Sequence, residues 1–171
     1  MHTRQLTRTA VLIALLVAVQ YVTKAAGQFV TGSCVNLILA VAALTGELWC
    51  GIAVALLSPF CAFLLGIGTP ILQLVPAIAL GNLVYVLVLS LLGRKRNRKA
   101  AKYFTIVSAA VCKFLLLWGL IVGVLLPSMG LSAEKSAMLL ASFSYPQLIT
   151  ALIGGALSLL IVPVLEKVQK Q

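Results

Sequence analysis

Apolar residues in this chain come in runs rather than in alternation, and stretches such as LILAVAAL, LVYVLVLSLL and VSAAVCKFLLLWGLIVGVLL are almost unbroken. A helix crosses the hydrocarbon core of a bilayer in about 20 residues. Counted against that length, the runs predict six helices at about 6–26, 30–46, 48–66, 70–92, 104–126 and 145–165. The second and third are short and separated only by Gly46, Glu47 and their neighbours, which predicts a tight helical hairpin. A membrane β-barrel would need alternating apolar and polar positions along each strand, and these runs do not alternate. The expected fold is an all-α integral membrane protein, a single bundle of six transmembrane helices over residues 1–171.

Composition agrees, since 62% of the residues are hydrophobic and 9% charged, more apolar surface than a soluble domain can hide. Charge adds an orientation. With the N-terminus cytoplasmic, that side holds Arg4, Arg8, Arg94, Lys95, Arg96, Arg98, Lys99, Lys102, Lys167 and Lys170, and the outside holds Lys24 and Lys135. The asymmetry predicts both termini in the cytoplasm, and Tyr21, Trp49, Tyr103 and Tyr145 fall near span ends, where amphipathic rings prefer to sit. The net charge of +10 therefore reads as membrane anchoring and not as a nucleic-acid footprint. The loop 93–103 carries six cations and reads as an anchor beside anionic lipid, or else as a docking surface for a cytoplasmic partner. The first span, tested as a cleavable signal, offers a poor site near KAAGQ and is read as retained.

The polar inventory excludes most chemistry. The acids are Glu47, Glu134 and Glu166, aspartate is absent, and the one histidine is His2. No carboxylate pair, no His/Asp partner for a serine and no hard-metal ligand set can be drawn from these, so neither catalytic residues, metal nor cofactor is expected. Cys34, Cys50, Cys61 and Cys112 show no CxxC spacing and read as apolar packers. GxxxxGK[ST] is absent, so ATP chemistry would have to come from a partner.

The outer loops are then 25–33, 66–70 and 127–147. The last holds Met129, Met138, Leu139, Leu140 and Phe143, which a solvated linker would not need, and is expected to fold back as a lid. Near the outer ends of three spans stand Pro70, Gln73 and Pro76, then Trp118, then Tyr145, Pro146, Gln147 and Thr150. Pro70 and Pro146 suit first turns of helices, whereas Pro76 reads as interior and kinking. The cluster reads as a binding pocket or as packing irregularity. Asn36 and Asn82 lie deeper and are expected to bond to neighbouring helices. Lys113 falls near the bilayer midplane, with no acid in any span to pair with it. Two readings stand: it snorkels toward the cytoplasm, or it lines a polar cavity and meets a ligand oxygen. Ala10, Ala14 and Ala18 form a small-residue stripe on the first helix, as do Gly119 and Gly123 on the fifth, and either allows another helix to approach.

The length, the span pattern, the AxxxA stripe, the stretch VTGSCVNLILAVAALTGELWCGIAVALLSPFCAFLLG and the segment ALGNLVYVLVLSLLGRK together resemble the substrate-binding S component of energy-coupling factor (ECF) vitamin transporters. The resemblance implies a prokaryotic cell-membrane protein that binds a water-soluble vitamin or related micronutrient from outside. It implies that Ala10, Ala14 and Ala18 dock on a transmembrane T component, and that two cytoplasmic ATPases drive release. The candidate substrate-binding set is Lys113, Trp118, Asn82, Gln73, Tyr85, Tyr145, Gln147 and Thr150, with the cation and aromatic rings suiting an anionic or carbonyl-bearing, partly aromatic compound. The rival readings are a self-sufficient carrier or channel, for which an intramembrane carboxylate is missing, and a non-transporting scaffold subunit.

Overall fold

A computed structural model describes residues 3–93 and 99–168 and, among them, shows helices and no strand. The helices are α1 (Thr3–Thr23), α2 (Gln28–Thr45), α3 (Leu48–Leu64), α4 (Leu74–Val88), α5 (Lys99–Leu117), α6 (Leu126–Ser128), α7 (Ala133–Phe143) and α8 (Tyr145–Val168). A π-helical turn, Leu89–Gly93, extends α4, and another, Trp118–Leu125, joins α5 to α6. In lipid the backbone must satisfy its own polar groups, and long uninterrupted helices do so within one segment. Among the described residues, five helical stretches are long and apolar enough to cross a membrane, and Leu48–Leu64 is a shorter apolar helix. Arg94, Lys95, Arg96, Arg98 and Lys170, which carry much of the predicted inside charge, lie outside the described residues.

The predicted hairpin is present: Gly46 caps α2 by donating its N–H to Ala42 O, and Glu47 caps the start of α3. The proline readings change. α4 begins at Leu74, so Pro70 lies in the preceding connection and Pro76 in the first turn, where a missing N–H costs nothing. The prolines inside helices are Pro59 in α3 and Pro163 in α8. The Gly119–Gly123 stripe serves no close packing, since a Cβ added at either would meet nothing within 4 Å. The close approaches occur elsewhere. A Cβ at Gly154 of α8 would lie 2.6 Å from Leu37 N and 2.7 Å from Ser33 O, so α8 rests directly on the backbone of α2.

α2 is central, packing on α8, α1, α3 and α4, while α5 closes the ring between α4 and α8. The main core gathers Leu39, Val54, Tyr85, Val86, Leu89 and Ala109, all buried. A second cluster of Leu74, Leu117, Ile121 and Phe143 fixes α7 to the end of the bundle. Outward-facing Leu15, Leu64, Leu115, Leu160 and Val164 leave an apolar perimeter that lipid covers. On α1, Leu12 and Leu16 face the core, and Ala10, Ala14 and Ala18 face outward.

Candidate functional site

A cavity of about 590 Å³ opens at the end of the bundle where α1 meets α2, α3 meets α4 and α7 lies. That volume is in the range of small-molecule sites. Residues 127–147 contribute Leu131, Lys135, Met138, Leu139, Ser142 and Phe143 to its wall. α7 is held in place by polar contacts as well as by Phe143: the side-chain amides of Gln28 and Gln147 both donate to Ser142 O.

Lys113 lies at the inner side of this cavity, 3% exposed. Its Nζ donates to Asn36 Oδ1 at 2.6 Å and to Asn82 Oδ1 at 2.8 Å, and stands 5.4 Å from the centroid of the Tyr85 ring. The side chain turns into the bundle and does not snorkel. Both acceptors are neutral amides, so the ammonium is solvated by hydrogen bonds and a ring face instead of a counter-charge. Asn36 Nδ2 in turn donates to Thr150 Oγ1 at 3.3 Å, and Tyr85 OH donates to Ala151 O at 2.9 Å. The network thus joins α2, α4, α5 and α8. Its closeness depends on small residues, because a Cβ at Gly32 would stand 3.0 Å from Thr150.

Of the eight residues expected to bind substrate, Lys113, Asn82 and Gln147 border the cavity. Tyr85 and Thr150 are buried just behind it, in contact with Lys113 and Asn36. Gln73, Trp118 and Tyr145 do not border it. Gln73 is the exposed cap of α4, Trp118 is 47% exposed at the start of the π-helical turn, and Tyr145 is 65% exposed at the start of α8. An aromatic wall from Trp118, Tyr85 and Tyr145 is therefore not formed, and the aromatic side chain lining the cavity is Phe143. Asn36, expected to bond to a neighbouring helix, does so and also lines the cavity, as do Gln20, Gln28 and Ser58. Depth was the available signal for Asn36: it and Asn82 each stand eight residues past their helix starts, Gln28 and Leu74.

A second cavity, about 540 Å³, lies at the opposite, basic end between α5 and α8 and includes Lys102 and Glu166. Ile106 in its wall packs on Gly155, which also adjoins Tyr85, so this layer stands between it and the Lys113 site. Removing the Tyr85 hydroxyl should cost about 1 kcal/mol through the bond to Ala151 O while leaving the ring beside Lys113. A Tyr85→Phe variant is thus expected to melt a few degrees lower in detergent, with its ligand affinity nearly unchanged.

A helical bundle with several membrane-capable helices and a polar cavity around the buried Lys113 defines the class of multi-pass membrane proteins. The chain matches the family model of the ECF transporter substrate-specific component over residues 4–166, and it belongs to that family. Comparison with curated proteins and with solved structures gives no match. Members of the family are substrate-specific transport subunits, binding rather than catalytic, and membership implies association with T and ATPase components.

Proposed function

We propose that the chain is the cargo-binding subunit of an ATP-driven importer for a water-soluble vitamin or related micronutrient in a prokaryotic cell membrane. The observation that carries this reading is the cavity around Lys113, in a chain of the substrate-specific family. α3, with 17 residues, spans about 25 Å and completes six membrane crossings with both termini cytoplasmic. The cavity then opens outward, and Lys24 and Lys135 stand at its mouth. Cargo is held by Lys113, Asn36, Asn82 and Gln147, with Tyr85 and Thr150 fixing that layer from behind. α7 is the lid, latched where Gln28 and Gln147 meet Ser142 O. Opening the latch breaks two hydrogen bonds to one carbonyl and withdraws Phe143, a small enough change for a docking event to drive.

Docking falls to the exposed stripe Ala10, Ala14 and Ala18, whose small side chains let a partner helix approach closely. Ala14→Leu is expected to reduce co-purification with the T component at least tenfold, while melting temperature and cargo affinity stay at the wild-type values. The reading as a whole is tested in proteoliposomes. Uptake should require this chain, the T component, both ATPases and ATP, and uptake by this chain alone would overturn it in favour of a self-sufficient carrier.

A further inference from the structure

The walls of the Lys113 cavity are one-sided in charge. Three lysines line it, Lys24, Lys113 and Lys135, and neither aspartate nor glutamate does. Lys24 and Lys135 are exposed at the mouth and Lys113 is buried, so an approaching molecule meets positive potential from entrance to inner wall.

The polarity of the inner wall is sharper than the count of lysines. An ammonium can only donate, so it orients both asparagines with their oxygens toward it and their NH₂ groups away. Asn36 spends its NH₂ on Thr150, while that of Asn82 is committed to no hydrogen bond among the described residues. With two hydrogen bonds made, Lys113 keeps a third N–H. The inner wall therefore has donors to spare, the third Lys113 N–H and the Asn82 NH₂, while its amide oxygens are already engaged by Lys113. Elsewhere in the same cavity Gln20 Oε1, an acceptor, and Ser58 Oγ, which can donate or accept, are buried without a hydrogen-bond partner. Unsatisfied buried polar atoms are costly and rare, and two that border one cavity point to groups brought by a ligand. Between these polar points the wall is aliphatic, from Leu16, Val35, Ile71 and Ile78.

We infer that the cargo is a small organic acid with an aliphatic body, its carboxylate seated on Lys113 and the Asn82 amide, and with a hydroxyl or amide N–H that donates to Gln20 Oε1. This rests on reading the cavity as the cargo site. It narrows that reading, since an aromatic ring is not required and neutral or cationic micronutrients are excluded.

The test begins with native mass spectrometry of the full chain purified in mild detergent. The molecule it releases is identified, and the molecule and its methyl ester are titrated back onto the emptied protein. Esterification removes the charge and little else. The expected result is a released acid whose methyl ester binds at least tenfold more weakly, an effect of the size a charged hydrogen bond supplies. Gln20→Leu should weaken the acid about tenfold without lowering the melting temperature, since it removes an unpaired acceptor. A neutral or cationic released molecule, or an ester that binds as tightly as the acid, would overturn the acid assignment while leaving the cargo reading intact. Unchanged affinity in Gln20→Leu would overturn the donor assignment. Release of nothing, together with no binding from a concentrate of growth medium, would overturn the cargo reading and this inference with it.

Discussion

Lys113→Ala should abolish cargo binding, by about 100-fold or more, and destabilise the bundle by about 2–4 kcal/mol. The two effects have different origins. Binding should fail because the cation proposed to meet the cargo is gone. Stability falls because Asn36 Oδ1 and Asn82 Oδ1, which accept from Lys113 at 2.6 and 2.8 Å, are left buried without a donor. Orphaning one member of a buried polar group costs more than removing the whole group, so the effects can be separated. The double variant Lys113→Ala, Asn82→Leu should recover part of the lost stability and none of the binding. Thermal unfolding by circular dichroism and equilibrium titration of the same preparations would measure both. Wild-type affinity in Lys113→Ala would sink the placement of cargo on this residue.

Gly154→Ala should destabilise the protein by about 2 kcal/mol and weaken cargo binding about tenfold, although alanine is the better helix former by about 1 kcal/mol. The new methyl group would meet the backbone of α2 at Leu37 N and Ser33 O, and backbone cannot rotate aside. α2 and α8 must then separate, which pulls Thr150 from Asn36 and loosens the layer behind the cavity. Two other glycines calibrate the effect. Gly81→Ala would press on Leu117 Cγ, 2.6 Å from the added Cβ, and this buried side chain must repack within its core cluster, a smaller cost than moving backbone. Gly119→Ala meets nothing within 4 Å and should be neutral or slightly stabilising. A graded series of melting temperatures, with Gly154→Ala lowest and Gly119→Ala highest, is the expected outcome. Equal values across the three would show that helix approach does not limit stability here.

The misplacement of Trp118 has a rotational cause. Trp118 and Lys113 are five residues apart, about 140° around an α-helix, so a ring on one side of the helix and an ammonium on the other cannot both face one cavity. Hydropathy is blind to that rotation, because a run that is apolar on every side gives no preferred face. Nearness to span ends predicts Gln73 and Tyr145 at the site, yet each stands at a helix start and is exposed. Gln20 and Ser58 carry no such signal, since Gln20 follows the unbroken apolar run 10–19 of α1 and Ser58 is a lone hydroxyl on apolar α3.

What the amino-acid sequence determines by itself is the helical membrane class, where the long apolar helices run, the scarcity of acids, and the isolation of Lys113 from any of them. These follow from one-dimensional quantities: lipid requires long runs with internally paired backbone, and a census of acids needs no coordinates. Only the tertiary structure decided that Lys113 turns inward onto Asn36 and Asn82, that the Tyr85 ring stands beside it, and that α7 lines the cavity. Those outcomes depend on which helices are neighbours and how each is rotated about its axis. Contacts such as Gly154 on the backbone of α2 set both, and they join residues more than a hundred positions apart in the chain.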